Sequence, residues 1–258
     1  MINIPMNTRD GYNSQTVTQL NGIGKQIPVI HSGNVLDLNH MTKGANGTQP
    51  TPVMTQTVSQ PAQSMPATPQ MTMPVMNHQV QKGQKVAISQ APLTSLKACF
   101  GWNTTNSQCD VDVSAFLLGD NGKVLGDDWF VFYGQDTSPD GNVVFRNEGQ
   151  QDRQSVSIQL NSLNPSVKKI VFVLTINEAL TKQLNFGMMK DAYVRILDGQ
   201  TGVEYCSFVM EEYYSNVISM MIGEVYLHNG QWKFNAVGNG VAKDLEGLCQ
   251  LYGVQVDD

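Results

Sequence analysis

The first feature of this sequence is a long stretch that lacks charge. Of the 258 residues, none between Ala45 and Gln81 is Asp, Glu, Lys or Arg, and only Tyr12 among the 20 aromatic residues lies in the first 78 positions. A segment of this kind, rich in Pro, Met, Gln and Thr, cannot bury enough apolar surface to offset its chain entropy. We therefore predict a disordered N-terminal arm over residues 1–78 and a folded domain over 79–258.

Several signatures of location and function are also missing. The chain has no basic and apolar leader and no apolar run approaching about 18 residues, so we predict neither a secretory signal nor a membrane helix. Residues 79–258 carry 13 basic and 20 acidic side chains without a basic cluster, which argues against nucleic-acid binding. The four cysteines form no C-x-x-C pair and have no histidine at zinc-ligand spacing. This pattern favours a cytoplasmic protein with reduced cysteines.

Motifs of common enzyme classes are absent as well. The sequence contains no G-x-S-x-G, no H-E-x-x-H and no phosphate-binding P-loop. His228 precedes a turn and has no nucleophile beside it in sequence. We predict that the protein is not an enzyme.

What is present after Gln79 is a series of short β-strand patterns separated by turns rich in Gly, Asp and Asn. Strands are predicted over 84–90, 96–102, 110–118, 129–133, 142–145, 155–160, 169–177, 192–197, 203–209, 218–228 and 231–237. Segments this short, with no alternating helices, predict an all-β fold: a two-sheet β-sandwich with short helices.

Three segments allow more specific predictions. Residues 129–133 are apolar throughout, which is typical of a central strand. Asn229-Gly230 between two strand patterns is a strong signal for a tight hairpin. Helical spacing of apolar residues appears only near the end, over 240–252, with Gly253 as a stop signal.

The most suggestive chemistry lies at the start of the strand predicted over 110–118. Asp110 and Asp112 fall on one face of this strand, about 6.6 Å apart along the chain at a rise of about 3.3 Å per residue. That spacing suits a hard cation bridged by further oxygens better than it suits a shared proton. The alternative is a polar strand face exposed to solvent.

Other carboxylates in nearby loops are candidates to complete such a site. Asp140 lies in the turn Ser138-Pro139-Asp140-Gly141, where Asp is also a common turn residue. Glu148 and Asp152 lie in the loop between two strands, and they either complete the site or pair with Arg146 and Arg153 on the surface.

Eight blocks of residues, in order along 79–256, resemble the tellurium-resistance TerD family of bacterial stress proteins. The blocks are Lys82-Gly83-Gln84-Lys85-Val86, Gly101-Trp102, Asp110-x-Asp112-x-Ser114-x-Phe116-Leu117-Leu118, Phe130-x-Phe132-Tyr133, Ser138-Pro139-Asp140-Gly141, Lys169-Ile170-Val171-Phe172-Val173-x-Thr175-Ile176, Gly223-Glu224-Val225-Tyr226 and Gly230-x-Trp232-Lys233-Phe234-x-Ala236-Val237-Gly238-x-Gly240. The resemblance implies a cytosolic β-sandwich that binds calcium and contributes to resistance to tellurite and other stresses, with no enzymatic activity.

The resemblance also implies where calcium would bind. Family ligands come from the D-x-D-x-S strand, from the loops after the aromatic strand and from a long acidic loop. This chain departs from the pattern, with Gly134-Gln135 where the family has an Asn pair. Its shortened loop, 146–153, contains only two acidic residues and begins and ends with arginine.

From this we predict at most one calcium ion, held by Asp110, Asp112, Asp140, Glu148 and Asp152 at one end of the sandwich. Five carboxylates with carbonyls and waters would fill one sphere of about 6 to 8 oxygens but not two. The expected dissociation constant is roughly 10⁻⁵ to 10⁻³ M. The alternative is a metal-independent interaction module recruited by its N-terminal arm. In either case we expect protein partners in a stress-response complex.

Overall fold

The computed structural model describes residues 70–88, 94–149 and 151–256, in which eleven β-strands and one α-helix form. The strands are β1 Lys85–Ala87, β2 Ser95–Thr104, β3 Val111–Leu118, β4 Phe130–Val131, β5 Val143–Asn147, β6 Gln154–Gln159, β7 Lys169–Ile176, β8 Met189–Asp198, β9 Glu204–Val209, β10 Ser219–His228 and β11 Gln231–Val241, and the helix is α1 Leu245–Tyr252. The predicted all-β fold is confirmed. Of the predicted disordered arm, residues 1–69 lie outside the described residues.

The strands form two antiparallel sheets that face each other. One has six strands in the order β1-β11-β10-β7-β3-β4, and the other has five in the order β5-β6-β2-β8-β9. The main apolar core lies between them, because alternate residues of each strand point inward. Phe100 of β2 and Phe172 of β7 meet across this core with ring centroids 5.3 Å apart. The predicted two-sheet sandwich is therefore present.

The β10–β11 hairpin has the predicted turn. His228 pairs with Gln231, and the two residues between them, Asn229 and Gly230, have φ values of 51° and 74°. Positive φ at both central positions is the requirement of a type I′ turn, which matches the twist of the flanking strands.

A second apolar layer covers the outer face of the six-stranded sheet. Phe116 and Leu118 of β3 point outward into it, beneath Leu248 and Cys249 of α1. The helix begins at Leu245, where the Asp244 side chain accepts from the Gly247 amide, and it ends at Gly253 in the left-handed conformation. The outer face of β3 is thus polar only near its start. Among the described residues, no helix is long and apolar enough to cross a bilayer.

The aromatic segment 129–133 is not the central strand that its apolar run suggested. Only Phe130–Val131 is a strand, and it lies at the edge of the six-stranded sheet. The aromatic rings serve the second apolar layer instead, since Phe130 stacks on Phe116 at 4.5 Å and on Phe132 at 4.7 Å between centroids. The prediction was wrong because Val131 is buried in the main core while Phe130 and Phe132 are buried beneath α1, so burial on both sides does not require a strand on each edge.

The segment before β1 joins the two sheets along one side. Its His78 carbonyl accepts from the Ser207 amide of β9, and the chain then turns so that β1 pairs with β11. The amides of Asn77 and His78 donate to Glu204 Oε1 at 3.1 and 3.0 Å. Contacts with the sandwich extend back to Met71, whose amide donates to a side chain of β2, so they begin before the predicted domain boundary at 79.

Candidate calcium site

Asp110 and Asp112 lie at the start of β3, at one end of the sandwich. Asp110 is exposed, and its carbonyl accepts from the Asn177 amide, which ties the start of β3 to the end of β7. Asp112 is half-buried. Burial raises the pKa of Asp112, a hydrogen bond from Gln154 opposes the rise, and the nearby Asp110 carboxylate adds to it. The structure therefore keeps these two candidates close together.

Asp140 belongs to a different part of the molecule. Its carboxylate accepts from Ser138 Oγ at 2.6 Å, from the Asn142 amide at 3.1 Å and from the Asn164 amide at 2.9 Å. Partial burial raises its pKa, but these hydrogen bonds outweigh burial and leave the pKa below the ordinary value. Ser138 and Asn142 stabilise the turn itself, and Asn164 ties the turn to the loop before β7, so Asp140 acts as a structural turn residue here.

Asp140 and Asp112 are separated by the length of β6. The carbonyl of Asn142, two residues after Asp140, accepts from the Gln159 amide at the end of β6, whereas Asp112 accepts from Gln154 at the start of β6. Five residue steps of a strand span about 17 Å. One metal ion cannot bind both carboxylates.

Glu148 is held by neighbours on the five-stranded sheet. Lys97 Nζ lies 2.7 Å from Glu148 Oε1, and Ser155 Oγ donates to the same oxygen at 2.5 Å. The hydrogen bonds from Lys97 and then Ser155 lower the pKa of Glu148.

Asp152 forms a largely buried ion pair. Its Oδ2 lies 2.6 Å from Arg195 Nη2, with side-chain exposures of 13% for Asp152 and 14% for Arg195. Tyr193 Oη donates to Asp152 Oδ1 at 2.9 Å. Neither Arg195 nor the Lys97 partner of Glu148 was suggested by the sequence pattern. Arg153 donates to the Trp102 carbonyl and lies 5.6 Å from the centroid of its ring.

Taken together, the five carboxylates do not fit one calcium sphere. Calcium takes about 6 to 8 oxygen ligands. Asp140, Glu148 and Asp152 each accept from donors of the protein itself, as Asp112 does from Gln154, and of the five only Asp110 and Asp112 lie close to each other. Within residues 70–88, 94–149 and 151–256, no three His, Cys, Asp or Glu side chains are placed to hold a metal ion. Calcium binding at Asp110 and Asp112 stays a prediction.

Gln154 is the residue of this region that sequence reasoning missed. It begins β6, is 6% exposed, and bonds with both of its polar atoms. Its Oε1 accepts from the Val113 amide at 2.7 Å, while its Nε2 donates to Asp112 Oδ1 at 2.8 Å and to Asn147 Oδ1 at 3.2 Å. The sequence carried one signal, because alternation in β6 places Gln154 on the same inward face as Val156 and Ile158. A polar residue on an apolar face needs buried partners.

Comparison with known proteins identifies the family. A family model described as "TerD domain" matches residues 76–252. "Tellurium resistance protein TerD" of Serratia marcescens is 37% identical over 189 residues, which cover 69% of this chain and 98% of that protein. "General stress protein 16U" of Bacillus subtilis is 34% identical over 186 residues, covering 68% of this chain and 96% of that protein. Neither name describes an enzymatic activity. The chain belongs to the TerD-domain family.

Proposed function

We propose that this chain is a cytoplasmic, non-enzymatic protein of resistance to tellurium compounds or related chemical stress, which works through protein partners and without tightly bound calcium. The relatives named for tellurium resistance and general stress, matched along nearly their whole length, support the stress role. One observation favours calcium independence. Four of the five candidate ligands, Asp112, Asp140, Glu148 and Asp152, already accept short hydrogen bonds from the protein's own donors.

The stress role is tested by growth. A host that lacks its own TerD-domain proteins should regain growth on tellurite when it expresses the full chain. It should regain the same growth when it expresses the chain with Asp110→Asn and Asp112→Asn. No rescue by the wild-type chain would contradict the tellurium role, and rescue that is lost in the double variant would contradict calcium independence.

A second candidate function is weak calcium binding at Asp110 and Asp112. Two carboxylates lie close together there. Neither takes part in any of the salt bridges found among the described residues, which favours a cation as their partner. Calorimetric titration of the full chain with calcium, repeated with magnesium, separates the two candidates. A saturable calcium signal that is lost with Asp110→Asn and Asp112→Asn would support binding, and a flat titration to millimolar calcium would support independence.

A further inference from the structure

A gap in the six-stranded sheet lies beside the two aspartates. β4 is two residues long and pairs only with Ala115 and Phe116 of β3. The next position of β3 whose amide points the same way is Val113, and β4 does not reach it. A buried amide without a partner costs about 1–3 kcal/mol. This position therefore needs an acceptor from elsewhere in the fold.

Gln154 supplies that acceptor from the opposite sheet. Val113 N–H can only donate, so the oxygen of the Gln154 amide must face it, which fixes the orientation of the side chain. The amide nitrogen then points at Asp112 Oδ1 and Asn147 Oδ1, with one hydrogen for each. A side chain of the five-stranded sheet thus joins β3 of the six-stranded sheet through two hydrogen bonds, and the third bond, to Asn147 of β5, holds it within its own sheet.

The surroundings of the amide nitrogen resemble those of a bound cation. The nitrogen lies between a carboxylate oxygen and an amide oxygen, which are the ligand types that calcium prefers. Resting on the calcium-independent function proposed above, we infer that the Gln154 amide replaces a bound cation as the bridge between the two sheets at this end of the sandwich. Because the bridging amide is part of the chain, the two sheets stay joined at this end at every calcium concentration.

The test is a charge substitution of equal shape. Gln154→Glu removes both N–H donors and places a second carboxylate against Asp112. We expect the melting temperature of the full chain to fall by about 5–10 °C without calcium. It should recover in part with millimolar calcium, which can bridge the introduced carboxylate, Asp112 and Asn147. The wild-type melting temperature should be equal in calcium and in chelator.

Gln159→Glu is the matched control, because Gln159 is the exposed last residue of the same strand. It should leave the melting temperature nearly unchanged and independent of calcium. A Gln154→Glu chain as stable as this control would overturn the bridge. A destabilised Gln154→Glu chain that calcium does not stabilise would overturn the assignment of this position as the place of a cation.

Hydrogen exchange of the Val113 amide provides a measurement on the wild-type chain, needed if the variant does not fold. The amide should exchange equally slowly in calcium and in chelator. Faster exchange in chelator would overturn the inference. A calorimetric calcium signal with unchanged Val113 exchange would instead contradict the proposed function and leave the bridge intact.

Discussion

At the scale of single residues, the ion pair of Asp152 and Arg195 should contribute far more stability than a surface pair. Arg195→Met leaves the largely buried Asp152 carboxylate without its cation, and we expect a loss of about 3 kcal/mol in the free energy of unfolding by urea. Glu212→Gln is the control, because the Lys82–Glu212 pair is 45% and 56% exposed. The control should change stability by less than about 0.5 kcal/mol. Equal losses would show that the Asp152 pair is no better shielded from water.

Glu148 should contribute to the loss of stability in acid. Its pKa is lowered by Lys97 and Ser155 from the ordinary value of 4.5, so the folded chain binds fewer protons than the unfolded chain between the two pKa values. The stabilisation is therefore present above the unfolded-state pKa and is lost as pH falls through the folded-state pKa. Glu148→Gln should lower stability at neutral pH and flatten its fall between about pH 5 and pH 3.

Urea unfolding at a series of pH values measures this effect. Glu211→Gln, at an exposed position, should leave the acid profile unchanged. An unaltered profile in the Glu148→Gln chain would mean that its contacts with Lys97 and Ser155 do not persist in solution.

At the scale of elements, the β10–β11 turn should tolerate only residues that accept positive φ. Gly230→Val forces a β-branched residue into the left-handed region, and we expect a loss of about 1–2 kcal/mol or more. Gly230→Asn is the matched control, because Asn adopts this conformation readily, and it should retain most of the stability. Equal melting temperatures for the two variants in thermal denaturation would count against a type I′ turn.

Helix α1 should depend on its cover of the second apolar layer. Leu248 is fully buried there, so Leu248→Ala should lower the free energy of unfolding by about 2–5 kcal/mol. Leu180→Ala, at a position 48% exposed, should cost much less. Urea unfolding of both variants compares them directly, and similar losses would mean that the helix does not pack closely on the sheet.

Strand positions were predictable where the alternation of apolar and polar residues is clear in the sequence. The exceptions have identifiable causes. The helix was expected from 240 but begins at Leu245, because β11 continues to Val241, which pairs with Ser219 of β10. Gly238 and Gly240 weaken the strand signal locally, and ladder hydrogen bonds to β10 override it. The fate of 129–133 likewise depended on packing beneath α1, which no local pattern reports.

The candidate site was less predictable than the fold. Asp110 and Asp112 were placed together correctly because they share one strand face. Whether the loop carboxylates lie near these two aspartates depends on the order of the strands in the sheets. The turn that contains Asp140 lies beside the end of β6, and Asp112 lies beside its start. The partners of Glu148 and Asp152 come from β2 and β8, which are distant in sequence and adjacent only in the folded sheet.

At the scale of the whole molecule, the segment before β1 offers a prediction about truncation. Composition predicts that residues 1–78 are dispensable for folding, whereas the structure shows that residues 70–78 contact the sandwich. A chain starting at residue 70 should melt like the full chain. A chain starting at residue 79 should still fold but lose roughly 1–3 kcal/mol, since several hydrogen bonds to β2 and β9 disappear. Thermal melts of the full chain and the two truncated chains measure these differences, and an unfolded chain from residue 79 would contradict the predicted boundary.

The short edge strands have a consequence for behaviour during stress. β4 has two residues and β1 has three, while His78 and Val80 occupy the edge of β9, and Asp136 and Ser138 bond to the edge of β5. An exposed sheet edge is a template onto which unfolded chains add as new strands. Chemical damage produces unfolded chains. Sheet edges that are short or already paired leave few free backbone groups with which such chains could pair. We therefore expect this sandwich to resist co-aggregation with unfolded chains.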